Sequence, residues 1–223
     1  MTAVLQMIVG AALVALVTQP PAISLTTDDG GVVHALEYGV GDRAVVLAHG
    51  GRFNKESWEP QAKALAAAGF RVLTFDFRGY GQSRGPGAAD LYTAPLHFDV
   101  LAAVRHLRKT GARRVFVVGG SLGGGAAADA AIAAPGEIDR LVMLAAPINR
   151  NAERLTTPTL VIVARDDANA AGPRLPRIRA EYDKVPAPKE LILLEGSAHA
   201  QVLFETDQGE RVMREIVTFL SAP

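Results

Sequence analysis

The feature that most constrains this chain is a repeat of short, continuously apolar runs separated by longer stretches of helical periodicity. The runs fall at residues 44–48 (AVVLA), 71–75, 115–118, 141–145, 159–164 and 190–194. A run with no polar face must be covered on both sides of a sheet, as parallel strands are. Helical patterns fill the intervals, at residues 58–68, 95–110, 122–134 and about 173–185, and a last amphipathic one follows at about 208–220. Strands alternating with helices of this length imply crossover units around a mostly parallel sheet. Upstream, residues 23–27 and 32–38 read as an antiparallel pair turned by Asp28-Asp29-Gly30-Gly31. The expected fold class is therefore α/β, with a mostly parallel eight-stranded sheet flanked by helices.

Composition narrows the function. The 223 residues suit one domain over residues 22–223. Lys plus Arg and Asp plus Glu are both 23, so the net charge is zero, which argues against a protein that grips nucleic acid or anionic lipid. The chain has no cysteine, which removes disulfides, thiolate metal sites and thiol nucleophiles. No metal-ligand cluster stands out, and no cofactor is expected.

Residues 4–17 are the exception to this picture, with Gln6 as their only strongly polar member before Gln19-Pro20-Pro21. Fourteen residues fall short of the roughly 20 needed to span a bilayer. They match the length of a secretory apolar region, yet no Lys or Arg precedes them. A signal or anchor and a helix packed on the body are the two readings of residues 1–21. Membrane association is expected only through residues 4–17, and location stays open between the cytoplasm and the cell envelope or exterior.

Open parallel sheets bind ligands at the carboxyl ends of their strands. There stands Gly119-Gly120-Ser121-Leu122-Gly123, between an apolar run and an Ala-rich helical pattern. A sharp strand-to-helix turn crowds its central residue, and flanking glycines leave the Ser121 hydroxyl exposed. With six serines and 22 glycines in the chain, chance supplies about 0.06 such motifs. A serine needs a base, and His199, in the loop after the run 190–194, lies at the same sheet end. The base needs an orienting carboxylate, and Asp166-Asp167 directly follows the run 159–164. Periodicity does not separate those two aspartates.

Taken together these motifs resemble the α/β-hydrolase superfamily over residues 23–223. His49-Gly50-Gly51 resembles its HG-x oxyanion loop, residues 75–83 (FDFRGYGQS) its D-x-R-G-x-G-x-S segment, and Gly119–Gly123 its nucleophile elbow. Ala164-Arg165-Asp166-Asp167 is similar to its acid turn, with Ala in place of the usual Gly, and that register makes Asp167 the triad acid. The resemblance implies a Ser121, Asp167 and His199 triad, with the backbone N–H groups of Gly51 and Leu122 as oxyanion donors. Arg52 and Phe53 would line the mouth of the site. Relatives often carry a cap domain after the run 141–145, but only the eleven residues 148–158 separate Pro147 from the next strand here. The expectation is a small, lidless serine hydrolase acting on an acyl substrate such as a carboxylic ester. Thioester or amide hydrolysis, acyl transfer, or a non-catalytic binding role on the same fold are the alternatives.

Overall fold

The computed structural model describes residues 20–186 and 188–223. In chain order the elements are β1 (Ala22–Thr26), β2 (Val32–Tyr38), β3 (Arg43–Ala48), α1 (Glu59–Ala67), β4 (Arg71–Phe75), α2 (His97–Lys109), β5 (Arg114–Gly120) and α3 (Leu122–Ala133). They continue with β6 (Arg140–Leu144), β7 (Thr159–Ala164), a two-residue-per-strand hairpin β8 (Ala168–Asn169) and β9 (Gly172–Pro173), α4 (Leu175–Tyr182), β10 (Lys189–Leu194) and α5 (Gly209–Ser221). Eight strands form one sheet in the order β1-β2-β4-β3-β5-β6-β7-β10. Strand β2 runs antiparallel to β1 and β4, and the other pairs are parallel.

The two-faced burial read from the apolar runs is visible in β3. Ala44, Val46 and Ala48 pack toward Val100, Val104 and Leu107 of α2 and the alanines of α3, while Val45 and Leu47 pack toward Trp58, Ala62, Leu65, Val212 and Ile216. Each fully buried Val, Leu or Phe contributes about 1.5–3 kcal/mol, so the sheet interior dominates stability. Helix α5 buries Val212, Ile216, Phe219 and Leu220, one stripe at helical spacing. Helix α3 differs: Ala126, Ala127, Ala128, Ala130, Ala131 and Ile132 are all buried, because small side chains let it lie close against the sheet.

Boundaries shift where backbone geometry overrides apolar pattern. The run at 115–118 extends to Gly120, since the ladder with β6 continues to Gly120 opposite Leu144. The last predicted turn of the helix at about 173–185 is replaced by Asp183–Val185 outside α4, and its start is displaced by the β8–β9 hairpin. Two-residue strands carry no periodicity to detect. The expectation for residues 4–17 falls outside the described residues. Among the described residues no helix is long and apolar enough to cross a membrane.

Candidate active site

The centre of the site is the turn between β5 and α3. Ser121 sits there at φ 50° and ψ −112°, a conformation that costs a non-glycine residue on the order of 1–3 kcal/mol. Packing on both sides holds it. The Ser121 N–H donates to the Leu144 carbonyl at 2.9 Å, and its carbonyl accepts from the Gly125 N–H at 3.1 Å. Neither flanking glycine has room for a side chain. A Cβ on Gly119 would lie 2.5 Å from the Gly123 carbonyl oxygen, and one on Gly123 would overlap the carbonyl of Ala48. The close approach of α3 to β5 thus accounts for Gly119, and its approach to β3 for Gly123.

Ser121 Oγ lies 2.8 Å from His199 Nε2, and His199 Nδ1 lies 2.7 Å from Asp167 Oδ2. With Asp167 ionised, Nδ1 carries the proton and donates to the carboxylate, which leaves Nε2 to accept from the serine hydroxyl. Asp167 is 1% exposed and His199 30%, so a buried charge steadies a ring that solvent and ligand can reach. The pair that periodicity left unresolved separates here. Asp166 points to solvent and only its N–H is engaged, with the Gly196 carbonyl, whereas Asp167 turns inward.

The loop after β3 is built around His49, which is fully buried. His49 Nε2 accepts from the Phe77 N–H at 3.2 Å, so its Nδ1–H donates to the Gly50 carbonyl at 2.9 Å. Burial lowers its pKa, which keeps the ring neutral. Tyr80 stacks edge-on against that ring at 4.6 Å and its hydroxyl donates to the Gly51 carbonyl at 2.6 Å. Gly51 faces the start of α3: a Cβ there would sit 3.8 Å from Leu122 Cδ2. Among the described residues neither the Gly51 nor the Leu122 N–H has a hydrogen-bond partner. Arg52 is exposed and forms no side-chain hydrogen bond or ion pair among the described residues, and Phe53 is half-buried.

Three neighbours carried no sequence signal. Tyr80 and Gln201 reach the Gly50-Gly51 segment, and Arg174, returned by the β8–β9 hairpin, places Nε 3.3 Å from Asp167 Oδ1. Arg174 also lines a hollow of about 170 Å³ with Pro147, Asn169, Gly172, Arg177 and Ile178. A larger hollow, about 690 Å³, lies at β2 and α1 and contains none of the residues above. Neither hollow is lined by Ser121, Asp167 or His199.

A glycine-flanked serine on a sharp strand–helix turn at the carboxyl edge of a doubly covered sheet is the arrangement found in α/β-hydrolase-type proteins. The family model described as the alpha/beta hydrolase fold matches residues 43–218, and the chain belongs to that family. It is similar to an epoxide hydrolase of Caballeronia sordidicola, 45% identical over 65 residues that cover 29% of this chain and 19% of the relative. It is also similar to a pimeloyl-[acyl-carrier protein] methyl ester esterase of Pectobacterium carotovorum, 35% identical over 107 residues, 48% of this chain and 38% of the relative. The chain thus spans well under half the length of these two curated relatives. A solved esterase of Pyrococcus furiosus shares the fold at a TM-score of 0.77 and 18% identity, with 96% of this chain and 95% of that one covered.

Proposed function

We propose that this protein is a serine hydrolase of acyl bonds, with carboxylic esters as the favoured class. The observation that carries the reading is the unbroken chain Ser121 Oγ, His199, Asp167 at 2.8 and 2.7 Å. In the proposed reaction Ser121 Oγ attacks the acyl carbon as its proton passes to His199 Nε2. The buried Asp167 carboxylate stabilises the resulting imidazolium. The carbonyl oxygen, now negative, is received by the unpaired N–H groups of Gly51 and Leu122. Collapse expels the alcohol, which takes the proton from His199. Water then repeats the cycle on the acyl-enzyme, with His199 as its base, and releases the acid.

Two relatives' names point to different bonds, and chemistry favours one of them. A serine oxygen that opened an epoxide would be left as an ether, which water does not cleave under these conditions. The ester of an acyl-enzyme is hydrolysable by the same His199. Serine at the elbow therefore supports acyl transfer to water over epoxide opening, and the esterase likeness supports it further. Thioesters, activated amides and acyl transfer to another acceptor use the same groups. We further propose an open, lidless cleft bordered by Arg52 and Phe53, because only residues 148–158 could form a cover after Pro147.

A fluorophosphonate probe tests the reading directly. It is expected to label the protein at Ser121 and to label neither Ser121→Ala nor heat-denatured protein. Labelling that survives Ser121→Ala would remove the proposed nucleophile. On a series of acyl esters, an open cleft predicts best turnover at about two to four acyl carbons, since little apolar wall surrounds a longer chain. A marked preference for long chains would overturn the lidless reading.

A further inference from the structure

One buried side chain ties together the three loops of the candidate site. Gln201 is 6% exposed and lies two residues after His199. Between them Ala200 adopts φ 53°, and this left-handed turn sends the next side chain inward beneath the elbow. Gln201 Oε1 accepts from the Gly50 N–H at 2.7 Å, and its Nε2 donates to Ser57 Oγ at 2.8 Å. Ser57 in turn donates to the Asn54 carbonyl at 2.5 Å. The backbone N–H can only donate, so the amide orientation is forced, and a side chain offering one acceptor and one donor is required there. The packing is close: a Cβ on Gly120 would lie 3.5 Å from Gln201 Oε1, and one on Gly50 would lie 3.4 Å from it. Gly120 immediately precedes Ser121, so the amide touches the base loop, the elbow and the loop after β3 at once.

The consequence for Gly51 follows from peptide planarity. The Gly50 carbonyl is held by His49 Nδ1 at 2.9 Å and by the Phe53 N–H at 3.0 Å. A trans peptide points its N–H opposite its carbonyl, so the Gly51 N–H is aimed by the same two bonds. Gln201 holds the preceding peptide through the Gly50 N–H. Without it, the diglycine segment would keep only its carbonyl-side restraints, and glycine imposes few of its own.

We propose that Gln201 is a positioning residue: it fixes the Gly50-Gly51 segment against Ser121 and so sets the Gly51 N–H for the developing oxyanion, without touching substrate. The proposal rests on the acyl-hydrolase reading. It places the effect of Gln201 in the transition state, because the oxyanion is absent from the bound ester.

The test is Gln201→Met, similar in length and lacking the amide, assayed on p-nitrophenyl acetate. Turnover is expected to fall roughly 10- to 100-fold, less than for outright loss of one oxyanion donor, with KM within about twofold. Affinity for a trifluoromethyl ketone, which adds to Ser121 and leaves an oxyanion, should fall by the same factor. The acidic limb of the pH profile should not move, since His199 is untouched. By NMR, exchange of the Gly50 amide hydrogen should be faster in the variant than in wild type. Ser57→Ala, which frees the other end of the amide, should shift turnover and ketone affinity the same way by a smaller factor, and it serves alone should Gln201→Met not fold. Unchanged ketone affinity, or a loss of turnover that comes with a displaced acidic limb, would overturn the proposal. A wild type inert toward esters and probe would overturn the acyl-hydrolase reading, a result distinguished from failure of the strap by Gly50 exchange, which needs no substrate.

Discussion

Two polar clusters stand at the same end of the sheet, and they spend their hydrogen-bonding capacity in opposite ways. Arg78, after β4, is fully buried, and all five of its N–H donors are used: Nε on Asp99, one terminal nitrogen on Asp29 and the Pro86 carbonyl, the other on Asp29 and Asp99. Its backbone N–H also donates to Asp99 at 2.9 Å. At the Ser121 cluster valences are left over. Among the described residues the Gly51 and Leu122 N–H groups are unpaired, Asp167 Oδ1 meets Arg174 Nε at 3.3 Å without a hydrogen bond, and His199 remains 30% exposed. A cluster that ties β1, β4 and α2 together exhausts its bonding internally. A cluster poised for a ligand holds geometry through some groups and keeps others free. Charge and burial alone do not distinguish the two, whereas the unspent donors do.

The largest effect is expected at Ser121. Ser121→Ala should lower ester turnover by roughly 10⁶-fold, about 8 kcal/mol of barrier, while urea unfolding shifts by less than about 1 kcal/mol. A variant that loses stability in proportion would put Ser121 with the structural cluster. Next in size, Asp167→Asn should cost roughly 10⁴-fold in turnover, because an amide favours the wrong tautomer of His199. The solvent-facing Asp166 supplies the control, and Asp166→Asn should change turnover by less than about twofold. Equal losses in the two variants would break the assignment of roles within the acid turn.

How much of this was readable beforehand depends on how local its cause is. The apolar runs became strands because covering both faces leaves no polar position, and each run lies within or overlaps its strand. The elbow was legible because Gly119 answers a clash with Gly123 within five residues, whereas Gly123 clears the distant Ala48 carbonyl. Arg78 stands in the segment 75–83 that the resemblance picks out, but its partners Asp29 and Asp99 come from the β1–β2 turn and from α2, and only folding selects them. Periodicity did not separate Asp166 from Asp167 because β7 ends at Ala164 and alternation ends with it; the turn that follows decides which side chain faces inward. Gln201 left no trace in the sequence, since its partners Gly50 and Ser57 lie about 150 residues away and its own neighbours form an ordinary short 3₁₀ turn.

The structural cluster should respond in the converse way. Arg78→Met leaves the Asp99 carboxylate buried without its counter-ion, and breaking such a pair costs about 3–5 kcal/mol. Urea unfolding should register that loss, while turnover per folded molecule stays within about threefold of wild type. A collapse of turnover with stability intact would mean that Arg78 acts on the reaction.

The smallest expected effect is a pH dependence of that same cluster. The hydrogen bond from Arg78 is the main cause that lowers the Asp29 pKa from 3.8 to about 2, with further help from Thr27 and partial opposition from burial. In the unfolded chain Asp29 takes up its proton near the ordinary carboxylate value, before the folded protein does. The unfolded state therefore binds more protons as the medium is acidified, and stability falls. The contribution of Asp29 is fully present above about pH 4 and is lost as pH drops through about 2, a loss on the order of 1–2 kcal/mol for a side chain close to solvent. Asp99 works in the other direction, because burial raises its pKa and the folded state takes up that proton first. Arg78 stays charged throughout. Only a difference measurement isolates Asp29: wild type and Asp29→Asn compared by urea unfolding from pH 5.5 to pH 2. The variant should begin less stable, and the gap should narrow below pH 4. A gap that stays constant over that range would show that Asp29 is not held ionised by Arg78, and that this cluster too keeps bonding capacity in reserve.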